Sequence, residues 1–96
     1  MPIQSFGDVS TELFFITGRV GRRAGWMSVA GVVRRKLDIL HYASGLSDLA
    51  AFRGNRLELL RGRLRGYHSI RVNARWRVVF RWTDRGPSEV RVIDYH

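Results

Sequence analysis

The side chains with the clearest chemical potential are the three last residues, Asp94-Tyr95-His96, and the arginines on the strand-like segments before them. An imidazole has an ordinary pKa near neutrality and can take up or release a proton. The planar guanidinium group matches phosphate oxygens bidentately. The pattern therefore predicts a surface that binds a phosphate chain, and it leaves open whether that surface also cuts the chain by general acid–base catalysis.

The positive charge is concentrated in the second half of the chain. The net charge is +9, and all but one of the seventeen basic residues are arginine. Residues 1–48 have a balance of +2, whereas residues 49–96 have a balance of +7. Between Arg53 and Arg81 there are nine arginines and one acid, Glu58. A basic half-domain of this kind implies a polyanionic partner, for which RNA, DNA and an acidic protein are all admissible.

Composition limits the other possibilities. The 96 residues make a single domain spanning residues 1–96. Cysteine is absent, and no apolar run approaches the roughly 20 residues that cross a bilayer. The first five residues lack the features of a signal peptide, so we expect a cytoplasmic protein that does not bind membranes. We expect neither a metal nor a cofactor, because the three histidines are scattered and no metal-ligand spacing occurs.

Helical periodicity occupies the first half of the chain. Residues 3–6 are a candidate first strand. Asp8 is a plausible N-cap for a helix that ends near Thr17. A second helix is predicted from about Met27 to Ala43, with Gly45 as its stop, and residues 47–52 suggest a further turn of helix. The apolar faces predicted for the two helices consist of Val9, Leu13, Ile16 and Val20 in the first and Val29, Val33, Leu37 and Leu40 in the second, with Arg34, Arg35, Lys36 and Asp38 off the second face.

The period changes to two in the second half, which is typical of strands. Residues 84–87 are predicted to form a turn and residues 89–95 a final strand. Helices followed by strands indicate an α+β fold, a small antiparallel sheet with two N-terminal helices packed on one face. The other face would be left open for the arginines. The alternation places Trp76, Val78, Phe80 and Trp82 on one side and Arg77, Val79 and Arg81 on the other.

Several segments of the chain resemble the HigB toxins of the RelE-like superfamily. They are Arg61-Gly62, residues 66–73 (GYHSIRVN), residues 75–82 (RWRVVFRW) and the terminal Asp-Tyr-His. Their order and spacing carry the resemblance, which extends over nearly the whole chain. It implies a compact sheet with two helices on one side. It also implies a metal-independent, ribosome-dependent endoribonuclease that cuts mRNA and is neutralised by a HigA-type helix-turn-helix antitoxin, with DNA contacted only through that antitoxin.

The resemblance also assigns roles to individual residues. His96, Tyr95 and Asp94 match the family's C-terminal active-site residues, and Arg77 matches the arginine after the strand tryptophan. Arg61 matches the basic residue before the glycine. Each has a plainer alternative: a solvent-exposed terminus for His96, sheet-edge packing for Tyr95, a salt bridge to a neighbouring strand for Asp94, and a solvated face for Arg77. We expect Arg71, Arg75 and Arg81 to bind RNA electrostatically rather than to take part in the chemistry.

The chain departs from the family at one position that matters. Glu58 stands where many members have the histidine implicated in catalysis. Among so many arginines, Glu58 is either a general base for a 2′-hydroxyl or one half of a structural salt bridge. His68 is a further candidate for the missing base.

Two other classes of function remain open on the sequence. One is a non-catalytic RNA- or ribosome-binding module that has kept the basic surface without the chemistry. The other is a DNA-binding corepressor that acts together with its antitoxin, although the chain itself contains no evident helix-turn-helix.

Overall fold

A four-stranded antiparallel sheet forms the centre of the protein, which a computed structural model describes over residues 1–95. Its strands follow chain order, β1 (Glu58–Leu59), β2 (His68–Arg71), β3 (Trp76–Thr83) and β4 (Gly86–Asp94). Branched and aromatic residues alternate with polar ones in β3, a pattern that suits a pleated strand. Between β2 and β3, the carboxamide oxygen of Asn73 accepts hydrogen bonds from the backbone N–H groups of Arg75 and Trp76, at 2.9 and 2.7 Å. This Asx turn sets the tight reversal of the chain.

Three α-helices precede the sheet in the chain: α1 (Val9–Thr17), α2 (Ala30–Tyr42) and α3 (Leu46–Ala51). The carboxylate of Asp8 accepts a hydrogen bond from the N–H of Thr11 at 2.8 Å, and Gly18 ends α1 with a φ of 77°. A 3-10 turn, Met27–Val29, leads into α2, and further 3-10 turns cover Arg53–Asn55 and Gly62–Leu64. The predicted bounds of the helices are confirmed to within a few residues.

The core lies between the helices and one face of the sheet. The apolar face predicted for β3 is confirmed, because Val78 and Phe80 are fully buried and Trp76 and Trp82 pack against the same cluster. In α2, Val33, Leu37 and Leu40 are also fully buried. The prediction of an α+β fold is therefore confirmed. Within residues 1–95, no helix combines the length and the apolar character that crossing a membrane requires.

The face predicted for the first helix is wrong. Val9, Leu13 and Ile16 are 67%, 50% and 69% exposed, whereas Thr11 and Phe14 are buried. The Thr11 hydroxyl accepts a hydrogen bond from the N–H of Val92 at 3.1 Å, which anchors the polar side of the helix to the sheet. The helix is rotated accordingly, and it presents three apolar side chains to solvent.

Lys36 was expected to lie off the buried face of the second helix, and this is also wrong. Its side chain is buried, and its ammonium group donates a hydrogen bond of 2.7 Å to the carboxamide oxygen of Asn55. The amide of Asn55 in turn donates to the carbonyl of Leu49 at 3.0 Å. Burial lowers the pKa of Lys36, and the positive charges of Arg35 and Arg71 lower it further. The hydrogen-bonded partner explains how a lysine is tolerated inside the protein.

The strand predictions also need correction. Residues 3–6 do not form a strand of the sheet, although Phe6 makes a single parallel bridge to Val90 of β4. The strand β4 begins three residues earlier than predicted and includes Pro87, which is paired with Trp82. The second face of the sheet is not open along its whole length, because Val79 is fully buried and Arg77 is 6% exposed.

Candidate active site

A hollow of about 290 Å³ lies where β2 and β3 meet their connecting turn. Arg71 and Arg77 are directly paired across the two strands, and paired residues project from the same face of a sheet. The hollow contains three guanidinium groups and one carboxylate, so it is a positively charged concavity. We call it the arginine hollow, and its lining residues are Arg56, Glu58, Arg71, Asn73, Ala74, Arg77 and Tyr95.

Arg77 is fixed within the arginine hollow by two hydrogen bonds. Its Nη1 donates to Oε1 of Glu58, and its Nη2 donates to the backbone carbonyl of Arg56 at 2.8 Å. Its guanidinium carbon lies 5.0 Å from the centre of the Tyr95 ring, within the range of a cation–π contact. Its Nε is buried and makes no hydrogen bond within residues 1–95. Arg77 is therefore held in a defined orientation with one donor still available.

Glu58 is the carboxylate of the hollow. Its side chain is 48% exposed, while that of its partner Arg77 is 7% exposed. The structure thus confirms the salt bridge expected from the sequence, and the general-base alternative stays a prediction. The carboxylate is accessible to solvent from the hollow.

Two lining residues were missed in the sequence. Arg56 has a left-handed backbone conformation, with φ 44° and ψ 53°, which is uncommon for a residue other than glycine. This conformation accompanies the hydrogen bond from its carbonyl to Arg77. Asn73 lines the hollow in addition to forming the turn. The position of Arg56, two residues before Glu58, was the only available signal.

The C-terminal residues have separate roles in the structure. Tyr95 lines the hollow, and its backbone N–H donates to the carbonyl of Arg75 at 2.7 Å. Asp94 forms a salt bridge of 2.8 Å with Nε of Arg75, which is the bridging alternative considered for it. His96 lies outside the described residues.

The other predicted RNA-binding arginines lie outside the hollow, with the exception of Arg71. Arg61 is exposed in the loop after β1 and is not among the lining residues. Arg75 pairs with Asp94 and lies over the ring of Trp76. Arg81 pairs with Glu89 and lies over Tyr67, about 13 Å along β3 from Arg77 by the usual rise of a strand.

His68 is separated from Arg77 by the sheet. Its ring stacks on Phe80 of the core, with centroids 6.0 Å apart, whereas Ser69 and Arg71 project from the opposite face. Its Nδ1 is buried without a hydrogen-bond partner in residues 1–95. This placement does not support His68 as the substitute base.

The burial of His68 predicts a pH dependence of stability. Burial lowers its pKa from the ordinary value of 6.5, because the charged imidazolium is poorly solvated there. The unfolded chain then binds more protons than the folded one at a pH between the lowered pKa and 6.5. We expect the free energy of unfolding to fall as the pH decreases through this range. Urea unfolding of the wild type and of His68→Gln at several pH values should show this component only in the wild type. An NMR titration that places the pKa of His68 at 6.5 or higher would contradict the prediction.

No group of three or more histidine, aspartate or glutamate side chains within residues 1–95 is arranged to hold a metal ion. The chemistry that the hollow can perform with its own groups is the binding of a phosphate and the stabilisation of negative charge on its oxygens.

Comparison with known proteins agrees with this geometry. Toxin HigB-1 of Vibrio cholerae serotype O1 is 47% identical to the chain over 57 residues, which are 59% of this chain and 60% of that protein. The chain thus spans about 60% of the length of the curated relative that it matches. A family model for the RelE-like toxin of the type II toxin–antitoxin system HigB matches residues 4–96. Because this match covers nearly the whole sequence, the chain belongs to the HigB family of RelE-like toxins.

Proposed function

We propose that this toxin is a ribosome-dependent endoribonuclease that cuts mRNA without a metal ion and thereby inhibits translation in the cytoplasm. Its neutralising partner would be a HigA-type helix-turn-helix antitoxin, and it would contact DNA only through that antitoxin. The observation that carries the proposal is the orientation of Arg77, a buried arginine held by Glu58 and the Arg56 carbonyl inside a hollow that Arg71 also lines.

The arginine hollow suits the scissile phosphate of an RNA chain. Arg71 and Arg77 are neighbours on one face and can approach two oxygens of the same phosphate. The unpaired Nε of Arg77 offers a donor that no internal acceptor within residues 1–95 occupies. Because Arg77 is fixed before the substrate arrives, little reorganisation is needed when charge develops on the pentavalent phosphorane. Such preorganised donors commonly contribute about 10²- to 10³-fold to a rate.

Cleavage by transphosphorylation also requires two proton transfers. One group must remove the proton of the 2′-hydroxyl, and another must protonate the departing 5′-oxygen. We assign His96 to one of these transfers, because an imidazole exchanges protons near neutral pH. Tyr95 would stack on a base or orient the phosphate, which agrees with its ring lining the hollow. Asp94 is engaged by Arg75, so we give it the role of anchoring the end of β4.

The shape of the hollow supports a dependence on the ribosome. A volume of about 290 Å³ accommodates a phosphate and part of a nucleotide, but it does not enclose a length of RNA. In-line attack requires the 2′-hydroxyl and the leaving oxygen to be aligned with the phosphorus. The ribosome would supply this alignment by holding the mRNA, while the exposed arginines outside the hollow favour association with ribosomal RNA.

The direct test uses ribosomes programmed with a defined mRNA. We expect the wild-type toxin to cleave the mRNA on the ribosome and to leave the same RNA intact in free solution. Tight binding to ribosomes without cleavage would instead support the non-catalytic module. Binding of the isolated toxin to operator DNA would support the corepressor.

A Glu58→Gln substitution distinguishes the two roles of this residue. We expect cleavage to fall by less than about tenfold, because glutamine still accepts a hydrogen bond from Arg77 and a lost general base typically costs 10² or more. Glu89→Gln is a matched control, since Glu89 pairs with Arg81 on the same strand and its side chain is 50% exposed. If Glu58→Gln lowered cleavage 100-fold and flattened the acidic limb of the pH–rate profile, while Glu89→Gln did not, Glu58 would be the base.

A further inference from the structure

Helix α1 presents an apolar face to solvent. Val9, Leu13 and Ile16 follow one another at spacings of four and three residues, and each is at least 50% exposed. The opposite side of the helix is already packed, because Phe14 is buried against Trp26 with ring centroids 5.0 Å apart. The exposed face is therefore apolar surface that folding of the chain does not use.

This face continues into a groove of about 430 Å³ formed with the segment after the helix. Val9 and Leu13 line one part of the groove and Val20 another, and Arg19 and Arg22 also line it. Residues 9–23 contain three arginines and a single acid, Glu12. The groove thus combines an apolar floor with a positive edge. We call it the α1 groove, and the residues used here are Val9, Leu13, Arg19, Val20 and Arg22.

We infer that the α1 groove is the docking site of the antitoxin, which would contribute an amphipathic segment with apolar side chains on one side and carboxylates on the other. The inference rests on the proposed function only in taking the partner to be an antitoxin, as membership of a toxin–antitoxin family implies. Charge complementarity selects this partner, because the positive edge of the groove disfavours a second copy of a chain that itself carries a charge of +9.

The α1 groove is separate from the arginine hollow. Helix α1 contacts β4 through the bond from Val92 to Thr11, and Val92 faces the core with its paired residue Val78. Arg77 projects from the opposite face of β3. A segment in the α1 groove would therefore leave the side chains of the hollow uncovered. The antitoxin would then neutralise the toxin chiefly by adding bulk that keeps it out of the ribosome.

The test compares three variants in binding the purified cognate antitoxin, measured by calorimetry. Leu13→Glu and Arg22→Glu place a carboxylate in the groove, and each should weaken the affinity by about 30-fold, the size typical of a central interface residue. Tyr42→Ser is the matched control. Tyr42 is 78% exposed in another apolar patch, which Asp48 and no arginine lines within the described chain, so the affinity should change less than about twofold.

Each variant is also assayed for mRNA cleavage on programmed ribosomes without antitoxin, and we expect wild-type rates. Hydrogen exchange of the wild-type complex should show new protection in residues 9–22. Unchanged antitoxin affinity in both groove variants, or absent protection there, would overturn the inference. So would slower cleavage by Leu13→Glu with normal antitoxin affinity, which would assign the groove to the ribosome, or a dimer of the free toxin that Leu13→Glu dissociates. A wild-type toxin without cleavage would refute the proposed function and leave the binding result interpretable.

Discussion

Arg77→Lys should reduce ribosome-dependent mRNA cleavage by about 10²- to 10³-fold while the chain stays folded. A lysine ammonium is a point charge and cannot reproduce the planar contacts of Arg77 with Glu58 and with the Arg56 carbonyl together. The positive charge is retained, so the association with RNA should change little. The loss should appear in the cleavage rate at saturating toxin, measured by single-turnover kinetics on programmed ribosomes.

The control for this variant is Arg81→Lys. Arg81 resembles Arg77 in its surroundings, since it lies on β3, pairs with the carboxylate of Glu89 and covers the ring of Tyr67 at 4.3 Å. It differs in lying outside the arginine hollow. We expect Arg81→Lys to slow cleavage by less than about threefold, as for a contact that only positions the complex electrostatically. Equal losses in the two variants would show that Arg77 contributes charge and not a defined geometry.

His96→Gln should lower the cleavage rate by about 10²- to 10⁴-fold, the range for removal of a general acid or base. Glutamine keeps hydrogen-bonding capacity but does not exchange a proton near neutral pH. The variant should therefore also lose one limb of the pH–rate profile. The measurement is single-turnover cleavage between pH 5 and pH 9, about the range in which an imidazole titrates.

Tyr95→Phe is the companion variant at the C-terminus. It keeps the aromatic ring against which Arg77 lies and removes only the hydroxyl, so we expect a loss of less than about tenfold and an unchanged pH profile. If His96→Gln were nearly as active as the wild type, another group would have to move the proton. Glu58 would then be the first candidate, because it lies in the hollow next to Arg77.

The periodicity of the sequence predicted the faces of β3 correctly but not their depth. Alternation separates Arg77 from Val78, and it contains no information on what covers each face. The burial of Arg77 depends on Glu58, which is 19 residues away, and on the β1–β2 pairing that brings the two together. A two-residue strand such as β1 has too little pattern for its register to be inferred.

The errors in the helices have a related cause. Both sides of α1 contain apolar residues, so the helical period alone could not determine which side packs on the sheet. The decision was made by the hydrogen bond between Thr11 and Val92, a polar contact between distant segments. Lys36 was expected to be exposed because of its charge, and it is buried because Asn55 provides an acceptor. Arg56 was missed because a left-handed backbone conformation at an arginine has no signature in the sequence.

The measurement that tests the account most directly is the structure of the toxin on a ribosome whose mRNA carries a 2′-deoxyribose at the cleavage position. Without the attacking hydroxyl the complex cannot react, and the phosphate should remain bound. We predict that a phosphate oxygen lies about 3 Å from the guanidinium of Arg77, inside the arginine hollow. A scissile phosphate bound elsewhere on the toxin, with the Arg77–Glu58 pair undisturbed and the hollow empty of RNA, would contradict the account.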